Sequence, residues 1–148
     1  MRQKENLRKA SSMGLVIMLL GIVVAASCTA APLDQTTLEI TTVKGGFSKV
    51  SVTVKNIGNE TAVNITMIIS VKGGILGRVN LTKICSGCGN CSNSILPNGT
   101  KTESTAEAGK IIGFGPVIIT TSAEAINAVK VEKTINAFVL GPLVIVTK

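Results

Sequence analysis

From residue 38 onward apolar and polar residues alternate with a period of two, the repeat of a strand with one face in a core and the other in water. In KVSVTVKN, residues 49–56, Val50, Val52 and Val54 share one face while Ser51, Thr53 and Lys55 take the other. In AVNITMIISV, residues 62–71, Ile65, Met67, Ile69 and Val71 alternate against Asn64, Thr66, Ile68 and Ser70. The cluster NIGNE between them supplies turn residues, so the two strands form a hairpin or cross between sheets. The same pattern predicts strands over 37–43, 75–84, 100–106, 116–123, 128–140 and 143–148, about eight in all.

Glycine and proline punctuate these segments: KGG at 44–46 and 72–74, LPNGT at 96–100, GFGP at 113–116 and GP at 141–142. Short strands with regular turns predict an all-β sandwich or barrel, because βαβ units would need long helical crossovers. EAGK and SAEAINAVK each have room for a single helical turn, and no segment beyond residue 30 keeps a 3.6-residue apolar period.

The first residues follow a different rule. The basic stretch MRQKENLRK precedes ASSMGLVIMLLGIVVAAS, and no charge falls between Lys9 and Asp34. That is the layout of a secretory signal or membrane anchor, predicted as one hydrophobic helix with its basic start on the cytoplasmic side. The organisation expected is a basic n-region at 1–9, a signal peptide or anchor at 10–31, a linker at 32–37 and the sandwich at 38–148. Three forms of processing fit: AASC ending at Cys28 resembles a lipoprotein signal with Cys28 lipidated, a cut near Ala30 would release a secreted protein, and RKASSMGLVIMLL is similar to pilin-type signals cut after Ala10. An uncleaved or lipid anchor ranks above free secretion.

Two motifs in the body carry a family resemblance. VTVKNIGNETAVNITMII, through Val54, Asn56, Gly58, Ala62, Asn64 and Ile65, and ILPNGTK, through Leu96, Pro97 and Gly99, are similar to the pattern of CARDB-type domains. These are Ig-like modules of bacterial and archaeal surface proteins. The resemblance implies a sandwich of seven or eight strands with an extracellular adhesive, scaffold or spacer role, and implies no active site.

Composition narrows the chemistry. The chain is 45% hydrophobic but only 2% aromatic, with three Phe and no Trp or Tyr, so its core rests on β-branched and aliphatic side chains. It has no histidine, which removes the usual general base and the Ser/His and Cys/His nucleophile pairs. Its eight acidic residues form no paired-carboxylate motif. The formal charge of +7 includes Arg2, Lys4, Arg8 and Lys9 against Glu5, and the remaining +4 is dispersed without an aromatic platform for bases. Neither nucleic acid, a small-molecule substrate nor a cofactor is expected, and no catalytic residue is assigned.

Sequons occur at Asn59, Asn64, Asn80, Asn90 and Asn98. Five within residues 59–100 exceed what ten Asn and 27 Ser plus Thr would give by chance, and they point to the outside of a cell. CSGCGNC at 85–91 holds three of the four cysteines. A zinc or iron–sulfur site would want a fourth ligand in register, and position 95 is Ile. In an exported domain the default is a disulfide closing the loop, Cys85 to Cys91 being the first choice. The leading expectation is a non-enzymatic, envelope-anchored or secreted Ig-like surface module that meets the membrane through its N-terminus and binds a protein or envelope partner. The alternatives are a surface metal or redox protein using Cys85, Cys88 and Cys91, and a pilin-like filament subunit.

Overall fold

Alternation in the sequence becomes ten strands in the computed structural model, which describes residues 35–86 and 94–147. The expected N-terminal helix lies outside the described residues. The strands are β1 (Leu38–Gly45), β2 (Val50–Asn56), β3 (Ala62–Val63), β4 (Thr66–Gly73), β5 (Val79–Ser86), β6 (Ser94–Ile95), β7 (Thr100–Ser104), β8 (Gly113–Ala125), β9 (Ala128–Gly141) and β10 (Leu143–Val146). One sheet has the order β1-β2-β7, the second the order β10-β9-β8-β4-β5, and β3 pairs with β6 as a small third sheet. All named pairings are antiparallel, and the chain changes sheet between β2 and β4, β5 and β7, and β7 and β8. The result is an all-β, Ig-like sandwich.

The two period-two segments lie in register as read. Val50, Val52 and Val54 of β2 and Met67, Ile69 and Val71 of β4 are buried, and Ile65 just ahead of β4 is buried with them. They meet Val117 and Ile119 of β8 and Val139 of β9 in one aliphatic core that contains no aromatic ring. Residues Pro32–Lys148 form a compact unit, and every core residue lies inside it. It therefore carries the apolar burial it needs to fold alone.

Three expectations are corrected. GFGP is not a separator: Gly113 to Pro116 are the first residues of β8, paired with Phe138 to Gly141 of β9. A Cβ on Gly113 would sit 2.5 Å from Val79 Cγ2, so glycine here lets β5 pack close rather than ending a strand. Strand 75–84 begins late, because Ile75–Gly77 form a 3-10 turn before β5 starts at Val79. SAEAINAVK holds no helical turn; β8 and β9 run through it and reverse at Ile126 and Asn127. A short 3-10 turn does occur at Thr105–Glu107, overlapping the start of EAGK.

A sandwich has four sheet edges to protect. On one side β1 closes onto β10: Val144 N–H donates to Gly46 O at 3.1 Å, Phe47 bridges to Leu143, and Lys133 Nζ of β9 donates to Ile40 O at 3.2 Å. On the other side, β5 and β7 face each other across a gap that Lys83 fills. Lys83 is only 9% exposed on the inward face of an edge strand. Its Nζ donates to Glu107 Oε2 at 2.9 Å, Ser104 O at 2.8 Å and Glu103 Oε2 at 3.2 Å.

Candidate functional site

Strand directions sort the loops into two ends. At one end stand the N-terminal residues 35–37, the 57–65 connection, the 96–99 turn and the β8–β9 turn. Asn56 organises it. Wholly buried, its Oδ1 accepts from Thr36 Oγ1 at 2.7 Å and Gly58 N–H at 3.0 Å, while its Nδ2 donates to Glu60 O at 2.7 Å and Ile95 O at 2.9 Å. All four hydrogen-bonding positions of the side chain are thereby used. Gly58 is required beside it, since a Cβ there would lie 2.8 Å from Thr37 N. Asn127 repeats the device at the β8–β9 turn, accepting from Val63 N–H at 3.0 Å and donating to Thr61 O at 2.9 Å. Asn56 and Gly58, which the resemblance pattern singled out, thus act in the structure as a clasp.

Three of the sequon asparagines, Asn59, Asn64 and Asn98, are exposed at this end, and Asn80 is exposed near the start of β5. Asn64 and Asn98 have φ values of 54° and 60°, the left-handed region that Asn tolerates in turns. Asn90 lies outside the described residues. So do Cys28, Cys88 and Cys91. Cys85 is buried near the end of β5, opposite Met67 of β4, and is disulfide-bonded. It is the sole cysteine among the described residues. Among the described residues no group of three His, Cys, Asp or Glu side chains is gathered as a metal site, and no helix is long and apolar enough to cross a membrane.

Lys83 is the residue with chemistry in its setting that the alternation rule passes over. Burial works against its charge, but the hydrogen bonds and charges of Glu107 and Glu103 outweigh this, and its pKa is raised above the ordinary 10.5. An ammonium held more firmly protonated by three acceptors is neither a nucleophile nor a base at neutral pH. It is a strut. Its sequence signal is a lysine standing at an apolar position of VNLTKIC, on the same face as Val79, Leu81 and Cys85.

The opposite end is built from residues 46–49, 74–78, 105–112 and Pro142. Thr105, buried, accepts from Val50 N–H at 3.0 Å, and Ile111, also buried, donates from its N–H to Ser48 O at 3.0 Å, so these loops are tied to one another. One depression runs between Phe47, Lys49, Lys110 and Ile112, and a second between Ile75, Leu76, Arg78 and Ile112. Ile112 belongs to both. Apolar surface continues onto the outer face of β8, β9 and β10, where Phe114 meets Phe138 edge to face at 5.5 Å and 82°. All three phenylalanines of the chain therefore lie outside the core.

The sequence matches no protein-family model and no curated protein. A solved structure described as "X-ray structure of Northeast Structural Genomics Consortium target SoR45" is 14% identical, over 76% of this chain and 91% of that one, with a TM-score of 0.43.

Proposed function

We propose that the chain is a non-enzymatic surface module of the CARDB-like, Ig-like kind, displayed outside the cell as an adhesive, scaffold or spacer domain and held at the membrane by its N-terminal segment. The observation that carries this reading is the use made of polar groups in the interior. Asn56 and Lys83, both buried, and the half-buried Asn127 hold loops and sheet edges together, while the exposed features include sequons and apolar loops. Polar side chains engaged in this way position a surface for binding.

The basic start and uncharged stretch of residues 10–33, and the excess of sequons, support export. Cys91 is the proposed partner of Cys85, closing the loop that leaves β5. The metal or redox alternative needs Cys85 as a thiolate, and a disulfide sulfur does not supply one. The test is protease treatment of intact cells. Loss of the folded unit from whole cells, with cytoplasmic controls untouched, supports the reading; protection until the cells are lysed contradicts it.

A further inference from the structure

We propose that the loop end built around Phe47, Leu76 and Ile112 is a docking surface for an anionic lipid bilayer. The inference goes beyond the display role, which rests on the N-terminal segment and the sequons; residues 35–37 stand at the opposite end of the sandwich, so the bilayer proposed here is a second membrane surface rather than the anchoring one.

Three observations carry it. The first is exposure of bulky apolar groups at loop tips: Leu76 is 85% exposed, Phe47 73% and Ile112 60%. With Ile75 they form one strip across two adjoining depressions. Bulky apolar side chains contiguous in one patch mark an interaction surface; Ile57, Leu96 and Ile126 are also exposed at the other end, where the sequon residues Asn59, Asn64 and Asn98 stand among them.

The second is charge. Lys49, Arg78 and Lys110 stand in these loops, and Lys44 and Lys72 lie one residue inside the flanking strand ends, all exposed. None of the five forms an ion pair among the described residues. The acidic side chain at this end, Glu107, is bound to Lys83. Cations around an apolar tip suit a bilayer whose surface is negative and whose interior is hydrocarbon, because each Lys or Arg stays with the headgroups while the apolar side chains enter below them. A second copy of the chain would bring the same cations face to face. That repulsion decides against a symmetric dimer through this end.

The third is backbone conformation. Leu76 has φ 58°, with Gly77 N–H donating to Gly74 O at 3.1 Å across the turn. A leucine in the left-handed region is strained where a glycine would not be. Almost wholly exposed, Leu76 recovers nothing by packing within its own unit. The turn is mounted firmly, since Gly74 N–H donates to Pro116 O at 2.7 Å, so the side chain is presented rather than loosely tethered.

The experiment is vesicle co-flotation of residues 32–148, which lack the N-terminal anchor, so that failure of anchoring and failure of docking are separate results. Vesicles of phosphatidylcholine containing about one-third phosphatidylglycerol are compared with phosphatidylcholine alone. Binding is expected to the anionic vesicles, and to weaken as salt is raised well above about 0.1 M. Lys49→Ala with Lys110→Ala should lower the partition coefficient by about 25-fold, taking roughly fivefold for each cation. Leu76→Gly is the decisive variant, because it relieves the turn and so holds or raises thermal stability, yet should weaken binding by at least about fivefold. Floating on neither vesicle, equal binding to both, undiminished binding by the Leu76→Gly variant, or a dimer formed through this end would each overturn the proposal.

Discussion

Lys83 and Glu103 meet across the open side of the sandwich, Nζ to Oε2 at 3.2 Å, and join the outermost strand of one sheet to that of the other. Lys101 approaches the second carboxylate oxygen of Glu103 at 3.7 Å. An inward-pointing charge on an edge strand also discourages pairing with another chain, because a neighbour docking there would disturb it.

Lys83→Met keeps the stem of the side chain and removes the ammonium. It is expected to cost about 2 kcal/mol in denaturant unfolding, less than a fully isolated buried pair because Lys101 still neutralises Glu103. The pH dependence has a definite sign. A folded-state pKa raised above 10.5 contributes stability that is complete below that value and disappears as the pH rises through the folded value. Urea midpoints measured from neutral pH to beyond 10.5 should therefore show a loss in the parent chain that is reduced in the Lys83→Met chain. Parallel profiles would remove the strut from the account.

Asn56→Ala should be among the most damaging single changes. It strands Glu60 O, Ile95 O, Gly58 N–H and the Thr36 hydroxyl, at about 1 kcal/mol each, so a loss of about 3 kcal/mol or more is expected. Asn59→Ala, three residues on and exposed, should fall within about 0.5 kcal/mol of the parent. Chemical denaturation of the two variants side by side checks the contrast, and equal stabilities would show that the clasp is incidental.

Thr121 offers a change in the opposite direction. It is fully buried in β8, and among the described residues its Oγ1 is the buried side-chain polar atom without a hydrogen-bond partner. Thr121→Val replaces that hydroxyl with a methyl group of similar size and should stabilise the unit by about 1 kcal/mol, visible as a higher Tm. A lower Tm would mean that the hydroxyl has a partner.

Reduction should act locally. A disulfide from Cys85 to Cys91 closes a short loop, worth about 2 kcal/mol by loop entropy, so reductant should lower the Tm by a few degrees while a chelator leaves it unchanged. Cys85→Ser and Cys91→Ser should match each other, with Cys88→Ser nearly silent. A chelator effect larger than the reductant effect would promote the metal reading.

Much of this architecture was legible because burial on one face forces a period of two. The valines of β2 and the Ile65 to Val71 series could be assigned to the core from alternation alone. Strands β3 and β6 are two residues each, too short for any period to register. GFGP misled because glycine serves both turns and close packing, and only the proximity of Val79 tells them apart. Lys83 was hidden for a related reason: a lysine among apolar positions normally marks a solvent face, and its two glutamates come from residues 20 and 24 positions later. The strip of Phe47, Leu76 and Ile112 comes from three loops that only the fold brings to one end.

The proposal that this is an exported scaffold rather than an intracellular catalyst meets its sharpest check in intact-mass and peptide analysis of the protein recovered from the membrane and soluble fractions of the cells that make it. The prediction is a membrane-associated chain, lipidated at Cys28 or retaining the apolar segment, with Cys85 oxidised and glycan on at least one of Asn59, Asn64, Asn80, Asn90 and Asn98. An unmodified chain beginning at Met1 in the soluble cytoplasmic fraction, with Cys85 as a free thiol and all five asparagines bare, would contradict it.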